Sequence, residues 1–413
     1  MQKVFITIFD QHVATMYQND DRIFLEQVND MCHKLSPLRL SPTIKEIDTT
    51  PLVHLEKVAG FISDALPGSF GNEILKNFFL QHRRSNPTVS DKLLFIGNRG
   101  LGALTFEPSV SKEDHTEHTL ALKSMFDHAR EIQRGGHYHA LQDVFLVGAH
   151  SFVGGARSKA VCAISLDTKT VFLGDRTKPL EEGLTHVIVK YDESEKKKSV
   201  YSTIEYIYYC LAKQCGLDIS QSYLLEADGR HHFVTTRFDI EPSAKRYHVH
   251  SLAGLLHLDY ALPRTIGYED LLRTAVQLGA QSSLQQLFLQ MLFNYMFVNQ
   301  DDHSRNFSFM CDKDFKWRAT PAYDLTFAQG GGQTVEHQLS LYGKPLSTIG
   351  LDEIAALATE FSLEMEFVAL ALELMKKVRE DELPRLLKAY AVDTPKQEQI
   401  RNAVNKRTLK GAL

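Results

Sequence analysis

Two short polar runs carry the residues of this chain that are best suited to chemistry, residues 299–306 and 321–325. Asp301 stands five residues before Asn306, and Asp324 follows eighteen residues after that asparagine. In phosphoryl transfer, one aspartate faces the attacking hydroxyl, while an asparagine and a second aspartate hold Mg²⁺ on the nucleotide phosphates. The spacing therefore predicts phosphoryl transfer. A polar loop that caps a buried helix would use the same residue types for turn chemistry.

Within the first run, the five-residue step to Asn306 selects Asp301 rather than Asp302 as the residue that accepts the hydroxyl proton. His303 would either touch the transferred phosphate or brace the loop, and Arg305 would neutralise charge near the γ-phosphate. Asn306 and Asp324 offer hard oxygen donors that suit Mg²⁺. A mononuclear His/Asp metal site is the competing chemistry, but no second histidine lies at helical or strand spacing from His303.

A glycine-rich segment, residues 151–159, lies between two predicted strands and is a candidate phosphate loop. Paired glycines let backbone N–H groups approach phosphate oxygens closely, and basic side chains add charge. The segment matches neither common nucleotide-binding glycine motif, so a tight hairpin turn is the alternative. The candidate phosphate-binding residues are Gly154, Gly155, Ala156, Arg157 and Lys159.

Lys190 ends an apolar strand, from where a lysine can reach the α- and β-phosphates of a nucleotide. Glu205, on the predicted helix that follows, could fix the lysine head by an ion pair, although a lysine can also protect a strand edge and a lone glutamate usually faces solvent. Thr236, Phe238 and Asp239 close the strand-rich half. Extended backbone there would meet the adenine base, and Asp239 would meet a ribose hydroxyl, unless the segment is a plain strand end.

The chain has 413 residues, of which 43% are hydrophobic and 23% are charged, the composition of an ordinary globular protein. The net charge of −5 argues against direct binding of nucleic acid, because phosphate binding needs a basic face. Five scattered cysteines without a Cys-x-x-Cys spacing fit a reducing compartment. The apolar stretches are too short or too interrupted for a signal peptide or a membrane span. We expect a cytoplasmic protein.

The order of predicted elements indicates an α+β, two-lobed, protein-kinase-like fold, with a β-rich amino-terminal half and a mainly helical carboxy-terminal half. Three domains are expected: residues 1–108, a strand-rich lobe with the phosphate loop at 109–238, and a helical lobe with the catalytic and metal-binding motifs at 239–413. Residues 93–96 and 144–147 read as strands, residues 52–66 as a helical pattern, and residues 202–214 as a helix that Gly216 would cap.

Together these motifs resemble the HipA family of bacterial Ser/Thr kinases, which are the toxins of type II toxin–antitoxin pairs. The family pattern N-x-D-x-H-x-K-N-[FS] is present at residues 299–307, with Arg305 where lysine is usual. The P-A-Y-D-L pattern is present at 321–325, and residues 102–106 are similar to the G-x-L-x-F that closes the family's amino-terminal domain. Residues 151–159 look like the family's phosphate loop, S-x-G-G-A-R-x-K, with one extra residue before the glycines.

The resemblance implies ATP- and Mg²⁺-dependent phosphorylation of a protein serine or threonine, with an aminoacyl-tRNA synthetase as the target in relatives, so that growth stops. It also implies a HipB-like helix-turn-helix antitoxin through which operator DNA is bound. Relatives phosphorylate a serine of their own phosphate loop. In this chain Phe152 occupies that place and Ser151 is one residue away, which makes Ser151 the candidate for autophosphorylation.

Two other functions stay open at this stage. A small-molecule kinase could use the same fold, because a fold does not determine a substrate. The third possibility is a catalytically silent co-repressor that binds a DNA-bound antitoxin. The filled positions Lys190, Asp301, Asn306 and Asp324 favour an enzyme over this last function.

Overall fold

The computed structural model describes most of the chain. At residues 118, 130–133 and 144–146 it describes only the backbone. The described residues are 1–82, 85–109, 118–133, 144–151, 157–173, 177–192, 200–227, 229–407 and 409. Within these ranges, none of the helices combines the length and the apolar character needed to cross a bilayer.

The amino-terminal unit, residues 1–107, is an antiparallel five-stranded sheet packed against helices. The strands are β1 (Gln2–Ile8), β2 (Gln11–Asn19), β3 (Arg22–Gln27), β4 (Glu46–Asp48) and β5 (Leu104–Glu107), and the helices are α1 (Met31–Leu35), α2 (Gly60–Ser63), α3 (Ser69–His82) and α4 (Val89–Ile96). The strand order is β4-β3-β2-β1-β5. Strand β1 buries Val4, Ile6 and Ile8 on one face, as expected for a strand with one face on a core.

Two predictions for this unit are wrong. Residues 93–96 end helix α4 instead of forming a strand, because Thr88 and Asp91 form a reciprocal capping box that starts the helix. Residues 52–66 contain a 3₁₀ turn and the four-residue α2 rather than one helix. Glu56 and Lys57 lie between them with positive φ angles of 56° and 63°, which a helix cannot contain.

The second sheet has six strands. They are β6 (His118–Ala121), β7 (Lys159–Ser165), β8 (Thr170–Leu173), β9 (Leu184–Lys190), β10 (Ser222–Ala227) and β11 (Arg230–Thr236), and the helices are α5 (Leu122–Gln133), α6 (Val144–Ser151) and α7 (Val200–Gln214). The strand order is β10-β11-β9-β7-β8-β6. Lys159 and Lys190 lie directly opposite each other on β7 and β9. This register brings two predicted phosphate-binding lysines to one end of the sheet.

Residues 144–147 begin helix α6, so the strand predicted there is wrong. A four-residue apolar run has no period of its own, and either a buried strand or a buried helix can contain it. The glycine-rich segment therefore follows a helix rather than a strand. The predicted helix at 202–214 is confirmed as part of α7, which ends near Gly216 with φ +79°.

The remainder of the chain is mainly helical, with a three-stranded sheet and a short hairpin between the helices. The strands are β12 (His248–Ser251), β13 (Ser308–Cys311), β14 (Trp317–Ala319), β15 (Ser340–Leu341) and β16 (Lys344–Pro345). The helices are α8 (Leu252–Leu256), α9 (Tyr268–Gln277), α10 (Leu284–Phe297), α11 (Leu351–Glu360), α12 (Met365–Lys377), α13 (Leu383–Ala389) and α14 (Thr394–Asn405). The predicted α+β class is confirmed, whereas the domain limits at 108 and 238 stay predictions.

Candidate active site

The catalytic loop, which we define as residues 299–306, is anchored at the end of a buried helix. Helix α10 is apolar on nearly all sides and is buried along its length, as such helices are. It ends at Val298, whose φ of +59° turns the chain. Asn299 then donates from Nδ2 to Oδ1 of Asn294 at 2.9 Å, and the Gln300 N–H donates to the carbonyl of Ala328 at 2.9 Å. The loop is thus held by α10 and by the segment that follows Asp324.

Asp301 presents a partly exposed carboxylate, with 43% of its side chain accessible. The Nε2 atom of His303 lies 3.9 Å from its Oδ1. Partial burial raises the pKa of Asp301, the charge of His303 opposes this, and the negative charge of Asp324 adds to it. A carboxylate that is reachable from solvent and has a raised pKa is suited to accept a proton.

Asp302, by contrast, is fully buried and its carboxylate is occupied. The Tyr268 hydroxyl donates to its Oδ2 at 2.5 Å, His337 Nδ1 lies 2.9 Å from the same oxygen, and the Gln338 N–H donates to Oδ1 at 2.7 Å. Asp302 therefore joins the catalytic loop to the segment near residue 337. This division of work between neighbouring aspartates agrees with the selection of Asp301 by spacing.

The two predicted magnesium ligands are oriented by different means. Asn306 donates from Nδ2 to the carbonyl of Asp301 at 2.7 Å, so its amide oxygen is the atom that could bind a metal. Asp324 has a left-handed backbone, with φ +54°, a conformation that is costly for a residue other than glycine. Such strain is commonly found at functional sites. Both residues present oxygen donors of the kind that Mg²⁺ prefers.

Lys190 joins three separate parts of the chain. Its Nζ donates to Oε1 of Glu205 on α7 and to Oδ1 of Asp324. Burial alone would lower the pKa of Lys190, but the two carboxylates outweigh burial and raise it. Burial likewise would raise the pKa of Asp324, yet Lys190 and then Lys159 hold it well below its usual range. The predicted Lys190–Glu205 pair is thus present and includes Asp324.

Lys159 is the second lysine of this cluster and is buried. Burial lowers its pKa to about 8, although Asp324 and Glu205 oppose this effect while Lys190 adds to it. Two adjacent cations therefore face two carboxylates. Cations in this position could bind phosphate oxygens once an anionic ligand enters.

A cavity of about 350 Å³ opens beside this cluster. It is lined by Arg157, Lys190, Tyr191, Tyr201, Ser202 and Glu205. The Arg157 guanidinium lies 4.6 Å from the centre of the Tyr201 ring, within the range of a cation–π contact. Sequence reasoning missed Tyr201, because the two residues are far apart in the chain and a tyrosine near a helix start carries no signal of its own.

The glycine-rich segment is described at its two ends. Ser151 is buried and ends α6, where its hydroxyl donates to the carbonyl of Gly148 at 3.3 Å. At the other end of the segment, Arg157 lies at the cavity and Lys159 lies in the lysine cluster. Three predicted phosphate-binding residues, Gly154, Gly155 and Ala156, lie outside the described residues, as does Phe152.

The segment predicted to meet adenine and ribose makes well-defined contacts within the protein. Asp239 accepts hydrogen bonds from Arg237 at 2.9 Å and 2.6 Å, and from the Gly102 N–H at 2.6 Å. Burial would raise its pKa, but Arg237 outweighs burial and lowers the pKa to about 2. The Phe238 ring lies 6.0 Å from that of Tyr323. Both oxygens of Asp239 are thus used internally, and the nucleotide roles of Thr236, Phe238 and Asp239 stay predictions.

Arg305 extends from the catalytic loop to the amino-terminal unit. Its Nη2 donates to the Ser63 hydroxyl at 3.0 Å, and its guanidinium lies 4.5 Å from the centre of the Tyr260 ring. These contacts place the positive charge beside α2. The role predicted near the γ-phosphate stays a prediction.

Comparisons with known proteins show which family and which fold this chain is similar to. A family model described as the HipA-like C-terminal domain matches residues 151–382. A Haemophilus influenzae protein named "Putative kinase" is 27% identical over 129 residues, which are 28% of this chain and 38% of that protein. The match thus spans well under half the length of that curated relative.

A similar solved structure is HipA of Shewanella oneidensis MR-1, determined in complex with HipB and operator DNA. It matches 98% of this chain and 95% of its own chain, with a TM-score of 0.64 and 16% identity. This likeness confirms the two-lobed, kinase-like fold. Because the family model covers more than half of its residues, this chain belongs to the family of proteins with a HipA-like C-terminal domain.

Proposed function

We propose that the chain is an ATP- and Mg²⁺-dependent protein kinase that phosphorylates a serine or threonine hydroxyl. The observation that carries this proposal is the contact of Lys190 with both Glu205 and Asp324. In protein kinases, a strand lysine that pairs with a helix glutamate, together with an aspartate that holds the metal, is required for phosphoryl transfer. Here the three residues come from β9, α7 and the segment after β14.

The residues present fit a magnesium nucleotide. The cavity combines the cations of Arg157 and Lys190 with the aromatic side chain of Tyr201, a suitable surface for an anionic ligand. Asn306 and Asp324 supply two oxygen donors. Mg²⁺ commonly binds proteins through one or two carboxylates, and phosphates and water complete its six ligands.

The chemistry asks for positioning and charge rather than covalent catalysis. ATP with its metal supplies the transferable phosphoryl group. Asp301 would orient the substrate hydroxyl and accept its proton, and His303 would support that carboxylate from 3.9 Å. Lys190, held in place by Glu205, would bind phosphate oxygens, and Lys159 would add a second positive charge.

The family suggests a biological setting for this activity. We infer that the chain binds a HipB-like helix-turn-helix protein, through which it reaches operator DNA, because the Shewanella HipA is solved with HipB and DNA. We further infer a protein substrate, with an aminoacyl-tRNA synthetase as the first target to test, and growth arrest as the result. Ser151 is the first site to test for autophosphorylation.

The test is transfer of labelled phosphate from ATP to proteins of a bacterial lysate, with wild-type chain and Asp301→Asn compared. We expect a labelled band with the wild type and loss of this band in the variant, while ATP binding persists. Asp314→Asn is the matched control, because Asp314 is exposed on the turn between β13 and β14.

The possible results of this assay separate the candidate functions. Equal labelling by wild type and Asp301→Asn would refute the assigned base, and labelling of a small molecule alone would replace the protein substrate. ATP binding without transfer by the wild type would refute the enzymatic proposal. Labelling of the chain itself, abolished by Ser151→Ala, would identify the site of autophosphorylation.

A further inference from the structure

We propose that the amino-terminal unit positions the catalytic loop through Arg305, and that Ser63 is the positioning residue on the amino-terminal side. This inference rests on the proposed kinase function and deepens it, because it assigns to the unit a direct effect on turnover. It also gives Arg305 a positioning role in place of the charge neutralisation near the γ-phosphate that its place in the motif predicts.

Helix α2 packs closely on α8. A side-chain carbon at Gly60 would lie 1.9 Å from the carbonyl oxygen of Gly254, and one at Gly254 would lie 2.4 Å from Oδ2 of Asp64. No residue other than glycine fits at either position without a shift of the backbone or of the Asp64 carboxylate. The two helices therefore meet in one closely defined arrangement.

Polar contacts hold the same arrangement from its sides. The Asp64 carboxylate, one residue after α2, accepts hydrogen bonds from the Ser251 N–H at 2.7 Å and the Ser251 hydroxyl at 2.6 Å. His250 Nδ1 lies 2.6 Å from the same carboxylate, and its Nε2 lies 3.1 Å from the Ser36 hydroxyl. Ser251 also caps α8, through a hydrogen bond from the Gly254 N–H to its hydroxyl. The amino-terminal unit is thus fixed to the helical half directly beside the catalytic loop.

Helix α2 also contacts the catalytic loop directly. Ser63 is the last residue of α2 and is buried, and its hydroxyl accepts the hydrogen bond from Arg305 Nη2 at 3.0 Å. Tyr260 packs against the guanidinium and also lies 5.4 Å from the His303 ring, measured between ring centres. Arg305 is therefore fixed by one hydrogen bond and one aromatic face. Lysine has no planar guanidinium and would not reproduce this pair of contacts.

Arg305 is also connected to the residues of the proposed chemistry. Its backbone carbonyl accepts a hydrogen bond from the Tyr323 hydroxyl at 2.7 Å, and Tyr323 directly precedes Asp324. On the other side in sequence, Asn306 bonds the Asp301 carbonyl. A displacement of Arg305 would thus reach both the proposed base and the proposed metal ligands, while the cavity residues on α7 lie outside these contacts.

The experiment compares Ser63→Ala, Arg305→Lys and the double variant in the full chain, with kcat and KM for ATP measured in the phosphate-transfer assay. We expect each single variant to lower kcat by about tenfold, the scale of one hydrogen bond to a charged group, with KM for ATP unchanged within about twofold. The double variant should match Arg305→Lys within about twofold, because both changes remove the same contact. Ser243→Ala and Arg273→Lys are matched controls at exposed positions and should behave as wild type.

Hydrogen exchange of the catalytic loop supplies a readout that does not depend on activity. In Ser63→Ala, amides of residues 299–306 should exchange faster, while those of α10 should not change. If the wild type transfers phosphate and Ser63→Ala keeps its kcat and its exchange rates, the inference is wrong and the kinase proposal stands. If the wild type transfers no phosphate, the exchange rates alone decide: faster exchange in the variant supports the positioning contact, and unchanged exchange overturns it.

Discussion

Replacing Lys190 by methionine removes the cation that connects the second sheet, α7 and Asp324. Methionine keeps much of the volume of the lysine stem, so the change is chiefly one of charge. Glu205 and Asp324 would both lose this partner. We expect the variant to fold less stably and to bind ATP poorly.

The magnitude follows from the exposure of the two carboxylates. The Glu205 side chain is 6% exposed, and removing one partner of a buried ion pair costs about 3–5 kcal/mol, because the other charge stays buried. Asp324 is 39% exposed and has Lys159 nearby, so water and that lysine reduce its share. We therefore expect a loss of about 3 kcal/mol in the free energy of unfolding at pH 7.5.

The pH dependence gives a second, independent check. Because Lys190 keeps the pKa of Asp324 below its unfolded value of about 3.9, this part of the stability is present at neutral pH and is lost as the pH falls through the acid range. The difference between wild type and Lys190→Met should thus keep its full size from neutral pH down to about pH 4 and should narrow as the pH falls further.

Urea denaturation at several pH values measures both effects. Lys344→Met is the matched control, since Lys344 pairs with Glu353 on the surface, with 57% of the lysine side chain exposed, and should cost less than about 1 kcal/mol. A Lys190 variant as stable as this control at pH 7.5 would refute the reasoning about the buried pair. A difference from wild type that stays constant as the pH falls from about 4 to about 2 would refute the assignment to carboxylate charge.

Two further predictions concern acid sensitivity and the metal. Burial lowers the folded-state pKa to about 4 for His232, about 3 for His248 and about 4 for His257, so the unfolded chain takes up protons first as the pH falls below about 6.5. Each of these three histidines should lower the free energy of unfolding by up to about 1.4 kcal/mol per pH unit below about pH 6.5. An unfolding midpoint that does not change between about pH 7.5 and about pH 5 would contradict this. Asn306→Ala should raise the Mg²⁺ concentration for half-maximal transfer at least about tenfold, with nucleotide binding in the absence of metal preserved. An unchanged magnesium requirement would exclude Asn306 as a ligand.

Local sequence signals were sufficient to predict candidate residues that lie within one short segment. The five-residue step from Asp301 to Asn306 is a property of one loop, and that loop must follow a helix as apolar as α10. The strand that ends at Lys190 and the helix that carries Glu205 are likewise predicted by their own periodicity. The pairing of the lysine with the glutamate was expected from the kinase layout and is present.

The sequence failed where a short segment fits two structures equally well. Residues 93–96 and 144–147 are apolar runs of four residues, and such runs carry neither a period of two nor a period of 3.6. In both cases the residues belong to helices. At 93–96 the decisive signal was the capping box of Thr88 and Asp91, which lies before the run rather than within it.

By itself, then, the sequence determined the class of fold, and it predicted the order of the candidate catalytic motifs and the choice of Asp301 over Asp302, because these depend on spacing along the chain. Only the tertiary structure decided the partners of the side chains: Lys159 opposite Lys190, Arg237 and Gly102 on Asp239, and Ser63 on Arg305. Contacts of this kind join residues up to 242 positions apart. Strand register and the docking of α2 on α8 bring them together, and these depend on how whole elements bury their surfaces, which no local pattern records.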